Sequence, residues 1–240
     1  MDMSARPLTE RLAALQRPVR DIGASLFAAL IAASWLALLT TDLGHFSPTV
    51  AWLGAAFAGL GTFFIRRRRV PSQSDAFSPA FWLLLLLAIC MLALNGQPGE
   101  LLLGGWDPGV YLHTAASVAR YGTLQFPETD LPALSAEECT LLARNLHGIC
   151  EPFGGMRLLP NGTTSPQFYH LYPCLMALAW RLGGLTAALW VNPVLNFGAI
   201  LALYTLAAQL LGRRWGAAAA LILAVNPAQI RQAKFSTAEM

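Results

Sequence analysis

The stretch IGASLFAALIAASWLALLT, residues 22–40, carries no charged side chain. An apolar run of about 20 residues is long enough for a helix to cross the hydrocarbon core of a bilayer. Further uncharged runs follow at residues 47–65, 79–94, 185–211 and 215–225. The third and fifth runs reach a spanning length only with their flanking residues. The pattern predicts an all-α integral membrane protein with about five transmembrane helices.

The composition of the whole chain supports this class. Of its 240 residues, 55% are hydrophobic and 12% are charged, which is about half the charged fraction of an average soluble domain. A cleaved signal peptide does not explain the first run, because the basic leader is long and no convincing cleavage site follows. Residues 22–40 are therefore interpreted as an uncleaved anchor.

Positive charge predicts which side of the membrane each loop occupies. Short loops rich in Lys and Arg stay in the cytoplasm, and arginines precede the first run and follow the second and fourth. The topology explains these arginines without a nucleic-acid partner. They are Arg6, Arg11, Arg17, Arg20, Arg66, Arg67, Arg68, Arg69, Arg213 and Arg214.

This charge pattern predicts a multi-pass protein of the plasma (inner) membrane with a cytoplasmic N-terminus. The predicted plan is a cytoplasmic tail at 1–21, three transmembrane helices at 22–94 with a basic cytoplasmic loop at 66–78, an external loop with surface helices at 95–184, and two transmembrane helices at 185–240. Residues 168–182 are also apolar, but the run is short and contains Pro173. We interpret it as an interfacial or re-entrant helix on the outer face, with a further span as the alternative.

The external loop begins with GGWDPGVYLHTAASVARYG, residues 104–122. Asp107 is a favoured helix N-cap and Pro108 suits the first helical position. Gly122 is an equally good stop signal. The spacing predicts a surface helix whose polar face carries His113, Ser117 and Arg120 and whose apolar face carries Tyr111, Ala115 and Val118.

The rest of the loop is rich in proline, and residues 124–161 are predicted to be irregular with one short helix around residues 135–146. Ser135 and Glu138 have the spacing of a capping box. Cys139 and Cys150 are candidates for a disulfide in an oxidising compartment. A zinc site with His147 is disfavoured, because no Cys-x-x-Cys pair is present.

Three stretches resemble a known family: GGWDPGVYLHTAASVARYGTL, FYHLYP and NPAQIRQAKFSTAE. They are similar to the N-terminal portion of polytopic C-type glycosyltransferases, which include protein mannosyltransferases and aminoarabinose transferases. In that group one acidic residue in the first large external loop is essential, and a second acidic motif follows later spans. The matching positions are Asp107 and Glu239. The resemblance covers most of residues 95–240 and implies that this chain continues in a longer protein or acts with a partner.

The chain also departs from the family pattern. Pro108 stands where many members carry a second carboxylate, and the hairpin at residues 22–65 is additional to the single span that the family pattern places before the catalytic loop. The second carboxylate of the first motif is therefore missing from this chain.

The resemblance implies a hexosyl- or pentosyltransferase. The donor would be a sugar on a polyprenyl phosphate, and the acceptor a lipid, a glycan or a protein at the external face. Asp107 would act as general base on an acceptor hydroxyl, and Glu239 would orient the acceptor or hold a divalent metal ion, a candidate cofactor. Candidate substrate-binding residues are Tyr111, His113, Arg120, His170, Arg231 and Lys234.

A different class stays open at this point. The short chain and the cap-like setting of Asp107 also fit a non-enzymatic membrane scaffold or lipid-binding module. A transporter is less well supported, because no charge inside an apolar run marks an ion path.

Overall fold

The computed structural model of the chain describes residues 8–68, 79–94, 98–99, 107–127, 135, 137–138, 144–146, 149–151, 155–159 and 161–236. This part of the chain is mainly helical, as predicted. Its eight helices are α1 (Leu8–Asp42), α2 (Pro48–Arg68), α3 (Pro79–Leu94), α4 (Asp107–Tyr121), α5 (Leu171–Leu189), α6 (Val191–Leu211), α7 (Arg213–Ala224) and α8 (Pro227–Ala233).

Three helical stretches are long and apolar enough to cross a membrane, judged by length and composition. They are Asp21–Asp42, Pro48–Arg68 and Val191–Leu211. Helices α3 and α7 have 16 and 12 residues in the structure. Among the described residues, three of the five predicted spans therefore reach a spanning length.

Helices α1 and α2 form an antiparallel hairpin that packs through small side chains. Ala33 and Ala37 of α1 lie in one buried cluster with Ala51 and Ala55 of α2. One turn further along α2, a Cβ added to Gly59 would lie 3.2 Å from the Ser25 carbonyl oxygen and 3.3 Å from the Ala29 Cβ. Small residues at four-residue spacing let helix backbones approach closely in a membrane. The large apolar side chains point outward, and Phe57 is 83% exposed.

The two ends of this hairpin have different partners. At one end, Arg66 Nε lies 3.3 Å from Asp21 Oδ1 in an ion pair beside the other arginines of the last α2 turn. At the other end, the Phe46 backbone N–H donates to the Gly122 carbonyl at 2.7 Å. The C-terminus of α4 therefore lies at the end of the hairpin opposite the arginines.

Helix α5 packs against both α4 and α1. Its Met176 and Ala177 share a buried cluster with Tyr111 and Ala115 of α4. On its other side Cys174 Sγ lies 3.6 Å from Thr41 Oγ1 of α1. These contacts place the first part of α5 beside the end of α1 that lies near the turn between α1 and α2.

The apolar run at residues 185–211 is divided in the structure. Residues 185–189 belong to α5, and α6 starts at Val191. Within α5 the backbone leaves the helical region at Gly183 and Gly184, and Gly184 has φ +64°. Glycine adopts this left-handed conformation without the steric cost of a Cβ. The kink separates an N-terminal segment of α5 from a short C-terminal one.

A second group contains α3, α6 and α7. Ala88 of α3 packs in one cluster with Ile200 and Tyr204 of α6 and Ala220 of α7. Helices α6 and α7 approach most closely at Gly216, where an added Cβ would lie 2.8 Å from the Ala208 backbone nitrogen. Only a residue without a side chain fits there without a shift of the backbone.

Between α4 and α5, the described residues include five short strands that the all-α prediction lacked. They are β1 (Phe126–Pro127), β2 (Arg144–Leu146), β3 (Ile149–Glu151), β4 (Met156–Leu158) and β5 (Thr163–Pro166). Strands β1, β5 and β4 form an antiparallel sheet in that order, and β2 pairs with β3.

The predicted helix around residues 135–146 is wrong at its C-terminal end. Arg144 pairs with Glu151 and Leu146 with Ile149 in an antiparallel ladder. A strand needs extended backbone, so a helix cannot continue through residues 144–146.

The capping box at the start of this segment is confirmed. The backbone N–H of Ser135 donates to Glu138 Oε2 at 2.8 Å, and Glu138 N–H donates to Ser135 Oγ at 3.3 Å. The backbone and hydroxyl hydrogen bonds from Ser135 lower the pKa of Glu138 below its usual value. Glu138 therefore serves the local structure.

Gly216→Ala tests the close approach of α6 and α7. Its Cβ would meet backbone atoms of Ala208, which cannot rotate away, so we expect a loss of about 1–2 kcal/mol in the free energy of unfolding despite the better helix propensity of alanine. Gly198→Ala on α6 is the matched control, because its Cβ would meet no atom within 4 Å. Thermal unfolding of the purified protein in detergent measures both, and equal melting temperatures would contradict the close approach.

Candidate functional site at the start of helix α4

Helix α4 begins at Asp107 and ends at Tyr121, as the sequence predicts. Gly122 follows with φ +77°, and its N–H donates to the Val118 carbonyl at 2.9 Å. The Asp107 carboxylate lies in the first turn, where the helix dipole stabilises negative charge. The residue is half-buried.

Asp107 is the first residue of α4 in the structure, and the residue before it lies outside the described ranges. The capping role of Asp107 therefore stays a prediction.

The two faces of α4 have the predicted polarity. Tyr111, Ala115 and Val118 are buried, whereas His113 and Arg120 are exposed. The Arg120 guanidinium lies 5.2 Å from the centre of the Tyr121 ring. Arg120 stands in the last turn of α4, about 20 Å along the helix axis from Asp107, so the structure does not bring this predicted substrate-binding residue to the carboxylate.

Aromatic rings surround Tyr111 one turn beyond Asp107. The Tyr111 ring centre lies 5.4 Å from that of Phe168 and 5.5 Å from that of Tyr172. Tyr111 is 5% exposed, so the structure places this predicted substrate-binding residue inside the protein. Burial raises the pKa of Tyr172 far above its usual value, with a smaller contribution from Tyr111. The cluster supports the helix that carries Asp107.

The hairpin formed by β4 and β5 lies against the first turns of α4. Gly155, just before β4, has φ +82°, and an added Cβ would lie 2.5 Å from Phe168 Cε2 and 3.0 Å from Val110. Met156 and Phe126 pack with Val110 in a small cluster. Gly155 therefore holds β4 close to the first turns of α4.

The segment before the second acidic residue is docked at the N-terminal end of α6. Asn192 Nδ2 of α6 donates to the Phe235 carbonyl. One turn further along α6, Asn196 Oδ1 accepts a hydrogen bond from Gln229 Nε2 of α8 at 2.9 Å. Asn226 caps α8 by accepting from Ala228 N–H at 2.9 Å. Glu239 itself lies outside the described residues.

One backbone hydrogen bond connects the chain segments that precede the two acidic residues. The Gly99 N–H, eight positions before Asp107, donates to the Lys234 carbonyl at 2.7 Å. Lys234 lies five positions before Glu239. A Cβ on Gly99 would lie 3.1 Å from Phe235 Cε1, so the backbone at Gly99 lies directly against this ring. The segments that lead to Asp107 and to Glu239 are in contact.

The other predicted residues lie at separate places. His170 is half-buried, with Nε2 3.4 Å from the Pro166 carbonyl oxygen. Arg231 is exposed and Lys234 is half-buried. Cys139 lies outside the described residues, as does the side chain of Cys150, so the predicted disulfide stays a prediction.

No group of three His, Cys, Asp or Glu side chains suited to a metal ion occurs within the described ranges. Glu239 is outside them, so a metal site that includes it stays a prediction.

Asn192, Asn196 and Gly99 are not among the residues predicted from the sequence. Two asparagines one turn apart in an apolar run were the available signal, because a buried amide in a membrane requires a partner.

The fold and this site define a mainly helical protein with three helices that could cross a membrane and a carboxylate at the start of a partly buried helix. Comparison with protein-family models, with curated proteins and with solved structures finds no match for this chain. A functional assignment for this chain therefore rests on the geometry described above.

Gly155→Ala tests whether the strand hairpin holds α4 in place. Left-handed backbone costs a non-glycine residue about 1–2 kcal/mol, and the contacts with Phe168 and Val110 add about 1–3 kcal/mol. Gly44→Ala is the matched control, because Gly44 also has positive φ but an added Cβ meets nothing within 4 Å. We expect the larger loss of thermal stability, and faster amide exchange in α4, for Gly155→Ala only. Equal losses would show that the contact is unimportant.

Proposed function

We propose that this chain is a membrane glycosyltransferase, or the N-terminal part of one, and that Asp107 is its general base. The donor is a sugar linked to a polyprenyl phosphate, and the acceptor is a hydroxyl of a lipid, a glycan or a protein at the external face of the plasma (inner) membrane. The observation that supports this most strongly is the hydrogen bond from Gly99 to Lys234, which connects the segments leading to Asp107 and Glu239.

The relative positions of the arginines and the acidic motifs support an external site. The Asp21–Arg66 pair and the contact between Phe46 and Gly122 lie at opposite ends of the α1–α2 hairpin. If the arginines face the cytoplasm, as positively charged loops do, α4 lies at the external end. In this topology α3 and α7 complete five spans with their flanking residues, and the N-terminus is cytoplasmic.

The second helix group supports the same orientation. Arg213 and Arg214 stand at the start of α7, next to the C-terminal end of α6. Asn192 and the docked Phe235 stand at the N-terminal end of α6. In the first group, the contact with α4 lies at the end of the hairpin opposite Arg66. In the second group, Phe235 lies at the end of α6 opposite Arg213.

The proposed reaction is a single displacement at the anomeric carbon of the donor sugar. The acceptor oxygen attacks the anomeric carbon while its proton passes to the Asp107 carboxylate. The bond between the anomeric carbon and the phosphate oxygen breaks, and polyprenyl phosphate leaves with the electron pair. One displacement inverts the configuration at the anomeric carbon.

Cations near the interface would neutralise the departing phosphate. Arg231 and Lys234 at the end of α8 are the candidates for this role. Arg120 stands in the last turn of α4, about 20 Å along the helix axis from Asp107, so it does not meet a phosphate at the anomeric carbon. Glu239 would orient the acceptor or hold a divalent cation. His113 and His170 are further candidates for contacts with the sugar.

Asp107→Asn tests the general base. The amide keeps the size and polarity of the side chain but cannot accept the proton, so we expect transfer to fall by a factor of about 100 or more. The measurement is transfer of labelled sugar from the polyprenyl-phosphate fraction to acceptors in membranes containing the complete protein. Glu137→Gln, an exposed carboxylate of the same loop, is the matched control and should transfer at the unchanged rate.

Unchanged transfer by a well-folded Asp107→Asn protein would contradict this role. Saturable binding of polyprenyl phosphate without sugar turnover by the unsubstituted protein would instead favour a lipid-binding module.

A further inference from the structure

Helix α6 carries two buried amide side chains within an uncharged, mainly apolar run. Asn192 is 1% exposed and Asn196 is 4% exposed. Both stand one turn apart near the N-terminal end of the helix, and both bond to groups that follow α7 in the chain. A polar group buried in a membrane is costly without a partner, so these contacts hold the C-terminal part of the described chain in place.

The two amides hold different parts of this segment. Asn196 bonds a side chain of α8, Gln229, at 2.9 Å. Asn192 bonds the backbone beyond α8, at the Phe235 carbonyl. Helix α8 has only seven residues, which is too short to be stable alone. Its position therefore depends on these tertiary contacts.

The opposite side of the same segment contacts the chain that leads to α4. Gly99 donates its N–H to the Lys234 carbonyl at 2.7 Å, and its Cα lies against the Phe235 ring. Ala233 and Ser236 on either side are buried. Residues 234–235 are thus enclosed between α6 and the segment at Gly99.

We propose that Asn192 and Asn196 are positioning residues: Asn196 holds α8, Asn192 holds the Lys234–Ser236 segment that follows it, and together they keep the chain that leads to Glu239 against Gly99, in the chain that leads to Asp107. The positioning role rests on the proposed function, whereas the docking contact does not. The amides act through the backbone of the second motif and do not contact the reacting atoms. A displacement of about 1 Å in a catalytic group can lower a rate about 100-fold, so the predicted effect is on turnover.

Asn192→Leu and Asn196→Leu in the complete protein test this proposal, with Val194→Leu as the matched control on the exposed face of the same helix. Asn192→Leu removes the hydrogen-bond partner of the Phe235 carbonyl, and Asn196→Leu removes that of the Gln229 amide. We expect amide exchange at Gly99 and at residues 231–236 to accelerate about tenfold or more, with exchange in α4 unchanged. We also expect kcat to fall about tenfold or more, with the donor KM and the melting temperature nearly unchanged.

Two further variants keep the proposal testable if an α6 variant does not fold. Gly99→Ala approaches the Phe235 ring from the other side and should reproduce the loss of kcat. Gln229→Leu should lose as much activity as Asn196→Leu, and the double variant should lose no more than either, because the two side chains share one hydrogen bond.

If amide exchange at Gly99 and at residues 231–236 is as slow in Asn192→Leu as in the unsubstituted protein, the proposed docking contact is wrong. Faster exchange with unchanged kcat would overturn the positioning role while leaving the contact intact. These outcomes are distinct from failure of the proposed function, which would appear as no turnover by the unsubstituted protein or full turnover by Asp107→Asn.

Discussion

Close approach between helices through small side chains is the constraint on which the rest of this structure depends. In a bilayer, apolar side chains gain little by leaving lipid for a neighbouring helix, so packing contacts and interhelical hydrogen bonds provide the association. Ala33 and Ala37 meet Ala51 and Ala55 in the first helix group. Gly216 meets the Ala208 backbone in the second. These two contacts hold neighbouring helices together within each group.

The few polar side chains within the apolar segments then determine what lies at each end. Asp21 and Arg66 pair at the end of the first group that carries the arginines. Asn192 bonds the segment before the second acidic residue at the N-terminal end of α6. Helix α4 is fixed near the turn between α1 and α2 through Gly122, and its buried face packs on α5. This packing holds the helix that begins at Asp107.

Local signals in the sequence predicted the local structure well. Asp107, Pro108 and Gly122 gave the bounds of α4, and Ser135 with Glu138 gave the capping box. These features depend on backbone groups a few residues away, so a short stretch of sequence contains the whole interaction. The polarity of the two α4 faces also followed from the helical period.

Features that depend on distant parts of the chain were not predictable in the same way. The run at 185–211 has no charge to mark a break, although the structure divides it at Trp190. Pro173 suggested an interruption, but it occupies the first turn of α5, where its missing N–H costs no helical hydrogen bond. The contact of Gly99 with Lys234 depends on the packing of α3, α6 and α7. No local pattern contains that contact.

The proposed function requires that the loop containing Asp107 and the basic loop at residues 66–78 face opposite sides of a membrane. Labelling with a membrane-impermeant maleimide tests it most directly, with Ser135→Cys and Ser72→Cys introduced singly where Cys139 and Cys150 are alanine. In intact cells, we expect labelling of Ser135→Cys and protection of Ser72→Cys until the membrane is opened. Labelling of both positions, or of neither, before the membrane is opened would contradict an external site at Asp107.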